Sequence, residues 1–252
     1  MDDHDRTARL ATTASHGGKP PNAARSPVPW GWPTAVMLSL VAALVSTPAH
    51  LATRSVADPA TAETWGVLFQ GIVLLAVTLW WLRRRHRRGW RLVWGARRPC
   101  GRDAALGLGV AVAVGLADAA LLAAVVALGH DPLAAQPWVE PQLQAAPIPF
   151  TVGVVIVAPL AEETIFRGVL FQGLQRSMGA RTAAIVSAAV FAGVHVDTIS
   201  VAAAALLLAA FVSGLVFAWL FHRRDTIVAP VVAHATVNAA ALAGAALRLP
   251  SG

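Results

Sequence analysis

Glu162-Glu163-x-x-x-Arg167 sets two carboxylates and a guanidinium inside an apolar stretch, and two further apolar stretches carry Phe191-x-x-x-His195 and His234-x-x-x-Asn238. Charged groups at membrane depth are expensive to keep, and a chain that keeps them has them satisfy one another or do chemistry together. A carboxylate in such surroundings is suited to act as a general base or acid.

Helix geometry divides the first motif. Glu163 and Arg167 are four residues apart, so they share a face and can form an ion pair that offsets part of the burial cost. Glu162 is turned about 100° from Glu163 on a helix. One carboxylate therefore reads as structural and the other as available. Phe191 and His195 share a face in the same way, as do His234 and Asn238. Depth can be counted from the flanking arginines: Glu162 is 14 residues from Arg176, His195 is 14 from Arg181, and His234 and Asn238 are 10 and 14 from Arg224. At 1.5 Å per residue these are depths of about 15–21 Å, so the spacing predicts that all four groups meet in one layer.

Each group alone has a plainer reading. A Glu–Arg pair can simply hold helices together, a lone histidine is commonly a hydrogen-bonded core residue, and an asparagine is common interhelical glue. An ion or proton pathway also uses buried Glu, Arg and His, but no inverted repeat is visible. Coincidence at one depth is what favours a shared site.

The elements that must position these groups are membrane helices. The chain has 252 residues, 56% hydrophobic and only 13% charged, with mean hydropathy +0.61. A soluble domain carries about twice that charged fraction. The apolar residues fall in long runs without barrel alternation. The expected fold is all-α, a polytopic transmembrane bundle of about seven spans over 34–53, 64–82, 104–129, 149–175, 181–197, 199–221 and 226–247. Pro159 and Pro230 suggest kinks, and Gly107, Gly109, Gly115 and Gly244 suggest close helix packing. Trp30, Trp32, Trp65, Trp80, Trp81 and Trp90 fit an interfacial belt. Asp118 is a candidate partner of Arg167, and Asp197 is expected near the outer interface.

Residues 1–29 read as a disordered tail. Their acidic start lacks the basic region of a signal peptide, so the first apolar segment is expected to remain as an anchor. The net charge of +7 could suggest nucleic-acid binding. The arginines between Arg83 and Arg102, with Arg176, Arg181, Arg223 and Arg224, instead follow the positive-inside pattern. That pattern puts the N-terminus in the cytoplasm and leaves no nucleic-acid role. A single Cys100 excludes an intramolecular disulfide.

In this order, and each on its own apolar segment, the three motifs resemble the CAAX protease and bacteriocin-processing family (CPBP, or Abi) of intramembrane peptidases, over about 149–247. The resemblance implies a peptidase whose active site lies within the bilayer. By it, Glu162 would activate the attacking water with help from His195. His234 and Asn238 would stabilise the oxyanion, and Glu163, Arg167 and Phe191 would support the site. The family is often labelled metalloprotease, and Glu162, His195 and His234 could make a two-His, one-carboxylate zinc site. No His-Glu-x-x-His is present, and a metal-free glutamate mechanism, which needs only the same base and an oxyanion site, is the preferred reading.

The expected domains are then a cytoplasmic tail over 1–29, an N-terminal transmembrane region with a basic loop over 30–148, and the peptidase domain over 149–247. The expected partners are membrane lipid and a membrane-associated peptide or protein substrate. The alternative is a non-catalytic immunity or scaffold protein that uses the polar cluster for packing. The Ala- and Arg-rich composition fits a bacterium.

Overall fold

A computed structural model of the chain describes residues 28–53, 58–195 and 199–248. The expected tail lies almost wholly outside the described residues, and so does Asp197. Among the described residues every regular element is a helix, as the long apolar runs require. The principal ones are α1 (Trp32–Thr53), α2 (Pro59–Arg85), α3 (Gly101–Ala127), the short α4 (Val139–Ala145), α5 (Pro147–Met178), α6 (Ala180–Gly193), α7 (Val201–Arg224) and α8 (Val228–Ala246). Two single turns, Trp90–Trp94 and Pro132–Ala135, lie in the connections.

Each of the seven expected spans corresponds to one helix. α3, α5, α7 and α8, and α2 from Thr64 onward, are long and apolar enough to cross a membrane. α6 differs. Its 14 residues make a helix of about 21 Å, short of a hydrocarbon core of about 30 Å. It stops at Gly193, and His195 follows from its open end.

Local chemistry sets the ends. Asp58 accepts from Thr61 N at 3.1 Å and Pro59 opens α2, a cap followed by a residue with no N–H to orphan. Ser200 caps α7 by accepting from Ala203 N at 3.0 Å. One residue, Gly179, links α5 to α6 with φ +82°, a conformation glycine adopts without steric cost. Pro230 falls in the first turn of α8, where an N–H would have no intrahelical partner, so it breaks no helical bond there.

The basic segments gather at one end of the bundle. Gln172 on α5 donates to Leu92 O at 2.8 Å, Arg176 donates to Val28 O at 3.1 Å, and Ile227 N donates to Trp94 O at 3.0 Å. Asp103, fully buried, accepts from Arg97, from Arg224 Nε at 2.8 Å and from Cys100 N at 2.8 Å. That carboxylate ties the loop before α3 to the end of α7.

Apolar packing does the rest. α3 lies along α8, and a Cβ on Gly107 would stand 2.5 Å from Ala229 O, so that glycine permits the close approach. Cβ atoms on Gly109, Gly115 and Gly244 would meet nothing within 4 Å; the expectation of close packing there does not hold. Leu108, Val112, Leu116 and Val126 of α3 are exposed, a lipid-facing stripe. Trp32, Trp65 and Trp80 are exposed as a belt requires, but Trp30 is not part of one. It is buried, and its Nε1 donates to Val169 O at 3.1 Å, so it belongs to the core.

Candidate active site

α5 carries Glu162, Glu163 and Arg167 and is irregular on both sides of them. Wide i→i+5 turns over Gly153–Val157 and Thr164–Phe171 flank the α-helical Ala158–Glu163. Such turns insert a residue, rotate the remainder of the helix, and leave carbonyls in need of donors. Pro159 accounts for one of these carbonyls. Ala158 N bonds to Gly153 O, five residues back. The next donor in that register would be the N–H of residue 159, and proline has none. Val154 O accepts instead from Asn238 Nδ2 of α8, at 2.9 Å. In the second wide turn, Phe166 O accepts from Ser187 Oγ of α6 at 2.9 Å, and Gly168 O accepts from Gln172 Nε2 at 2.9 Å. The expected disturbance at Pro159 is thus a wide turn repaired from a neighbouring helix.

The expected ion pair is present. Glu163 and Arg167 are both fully buried, with Arg167 Nη1 2.9 Å from Glu163 Oε1. The same oxygen lies 2.9 Å from His234 Nδ1, so the carboxylate that looked purely structural also orients an imidazole. Arg167 Nη2 donates to Gly214 O of α7 at 3.2 Å. Its guanidinium carbon lies 4.4 Å from the Phe191 ring centre and 5.4 Å from that of Phe217, close enough for cation–π attraction. Arg167 therefore takes Glu163 as its carboxylate, and Asp118 is not its partner.

Glu162 points the other way. Its Oε2 is 3.6 Å from His195 Nε2 and 3.8 Å from His234 Nε2. Both distances exceed a direct hydrogen bond, and that oxygen is buried without a hydrogen-bond partner. The side chains of Glu162 and His195 are 24% and 25% exposed, so the pair is reachable from outside while its reactive edge is sheltered. The two rings are held from behind. His195 Nδ1 lies 2.6 Å from Phe191 O. A carbonyl only accepts, so Nδ1 carries the hydrogen and Nε2 is turned to Glu162. His234 gives its Nδ1–H to the Glu163 carboxylate in the same way. Phe191 packs against both imidazoles, with ring centres 4.5 and 5.7 Å away.

The structure therefore brings together Glu162, His195 and His234, with Glu163, Arg167 and Phe191 directly behind them. Asn238 is one helical turn beyond His234, and its amide bonds to Val154 O. Among the described residues, no group of three or more His, Cys, Asp or Glu side chains is arranged to hold a metal ion. Glu162, His195 and His234, with both Nε2 atoms turned to the carboxylate, are nonetheless the residues that would hold a zinc ion, which would supply a Lewis acid and an activated water there.

Sequence reasoning missed Phe217, whose ring stacks on His234 at 5.3 Å, as well as Gly214 and Ser187. The two α7 residues lie in a run with no charged group between Val201 and Phe221, so no polar signal marks them. Ser187 is a lone hydroxyl in an apolar helix, which is a usable hint of an interhelical bond.

In a comparison with known families, residues 144–240 match the family described as type II CAAX prenyl endopeptidase Rce1-like. Neither the comparison with curated proteins nor that with solved structures gave a match. The matched stretch runs from α4 into α8 and contains all three motifs.

Proposed function

We propose that this chain, whose residues 144–240 match the family described as type II CAAX prenyl endopeptidase Rce1-like, is an intramembrane endopeptidase that hydrolyses peptide bonds of membrane-associated substrates with Glu162 as its base. The observation that carries this reading is the unpartnered Glu162 Oε2 facing two imidazole Nε2 atoms, at 3.6 and 3.8 Å. A carboxylate oxygen with no direct hydrogen bond, opposite two nitrogens whose far sides are tied down, suits a water molecule held for attack.

In this mechanism the water gives one hydrogen to Glu162 and directs the other to His195 Nε2. Its oxygen attacks the scissile carbonyl carbon as Glu162 takes the proton. The carbonyl π electrons move onto oxygen, and the His234 ring, held by Glu163 at Nδ1, turns its Nε2 edge to that oxyanion. The second N–H of the Asn238 amide is a further oxyanion donor. The carbonyl then re-forms, the C–N bond breaks, and Glu162 returns its proton to the leaving nitrogen. General-base catalysis of this kind contributes about 10²–10⁴-fold, and each well-placed oxyanion donor about 10²–10³-fold. Membrane lipid is the surrounding solvent, and the N-terminus is assigned to the cytoplasm by its positive-inside pattern.

The test compares wild type with Glu162→Gln and His195→Ala in reconstituted vesicles and in the membrane-peptide pool of cells. Loss of cleavage at unchanged thermal midpoint is the expected result. Wild-type turnover in both variants would overturn the assignment. Loss of stability with no proteolytic readout in any protein would favour a packing role for the cluster.

A further inference from the structure

We propose that Pro159, which touches neither substrate nor reacting atoms, is a positioning residue that locks the Asn238 amide by withholding a backbone donor from Val154 O. The register of the wide turn sets up the exchange. Ala158 N reaches Gly153 O across five residues, so residue 159 is next in line for Val154 O. Any other residue there would supply an N–H. Proline supplies none, and the empty acceptor is taken by Asn238 Nδ2 at 2.9 Å. A partly buried carbonyl left unpaired within a membrane helix is costly, so the exchange is favoured once the proline is present.

The consequence reaches the site. An amide has two N–H donors in one plane. With one fixed on Val154 O, the plane is set and the other N–H has a defined direction. The same bond fastens α8 to α5 one turn from His234, and Glu162 lies three positions after Pro159. Pro159 thus holds the base-bearing segment of α5 and the His234–Asn238 face of α8 in one register. Without it, the wide turn closes on itself, the amide turns free, and an oxyanion donor loses its preorganisation.

The hydrogen-bond exchange stands on geometry alone; its effect on turnover rests on the peptidase reading. Both are read from one double-mutant cycle on the full chain in nanodiscs: wild type, Asn238→Ala, Pro159→Ala and the double variant. In the thermal midpoint, Asn238→Ala should cost several degrees in the wild-type background and less than half of that when residue 159 is alanine, because the restored N–H reaches Val154 O. Equal losses in both backgrounds would overturn the exchange. Should Asn238→Ala fail to fold, Asn238→Asp, which keeps the shape and loses the donor, takes its place in the cycle. In turnover, Pro159→Ala should keep the midpoint, lower kcat by about tenfold or more and leave KM within about twofold. Unchanged kcat with a non-additive midpoint cycle would overturn the positioning role alone. Absence of turnover even in wild type would sink the peptidase reading and leave the midpoint cycle to decide the exchange.

Discussion

Glu162 and Glu163 are neighbours in sequence with opposite surroundings. Glu163 is fully buried and shared by Arg167 and His234, while Glu162 Oε2 meets its two imidazoles beyond hydrogen-bond distance. Substitution should separate them. Glu162→Gln removes a base but no direct bond, so turnover should fall by about 10²–10⁴-fold while the unfolding midpoint in detergent stays within error. Arg167→Ala removes the partner of a buried carboxylate and empties a cage of aromatic rings, and should cost about 3–5 kcal/mol. A stable Arg167→Ala protein would mean that Glu163 finds its compensation elsewhere. Phe217→Leu should lower turnover more than stability, because it removes the ring that stacks on His234 but keeps much of the apolar volume.

At the scale of elements, the site depends on how closely α5, α6 and α7 approach. A Cβ on Gly214 would sit 2.9 Å from Ala188 Cβ of α6, below any ordinary contact, and Gly214 O is also an acceptor for Arg167. Gly214→Val should therefore destabilise by about 1–3 kcal/mol through overpacking and also lower turnover, since separating α6 from α7 moves both Phe191 and the carbonyl that steadies Arg167. Thermal unfolding and a cleavage assay on the same preparation check both halves. The short α6 has its own logic. A full-length helix would carry residue 195 in its interior with a fixed side-chain direction, whereas a helix that stops at Gly193 lets the His195 ring fold back onto Phe191 O and present Nε2 to Glu162.

For the whole molecule, orientation is a quantity the chain can report itself. Cys100 is its one cysteine and is exposed, at the start of α3 beside the arginine-rich loop. A membrane-impermeant maleimide should label Cys100 in inverted vesicles and not in intact cells if that end faces the cytoplasm, as the positive-inside pattern requires. Labelling of intact cells would reverse the orientation. The same end is held by Asp103, which binds Arg97 and Arg224 from two different segments. Asp103→Ala should loosen the junction and lower the unfolding midpoint, with less effect on the site about 15–21 Å deeper.

Much of this was legible in the sequence because it depends on local or bulk properties. Apolar runs of sufficient length admit helices and little else in lipid, since every backbone polar group must be satisfied within the segment. The Glu163–Arg167 pair follows from 3.6-residue geometry, and a common depth for Glu162, His195 and His234 follows from rise per residue. Contacts between distant residues were decided only by the tertiary structure. His234 meets Glu163 across 71 positions and Asn238 meets Val154 across 84. Trp30 leaves the expected interfacial belt because a carbonyl 139 positions away accepts its N–H. Periodicity says which way a side chain leaves its own helix; it carries no information about the rotation and height of the helix opposite. Those are set by where small residues let backbones close up and by which neighbour satisfies a carbonyl that a proline has orphaned.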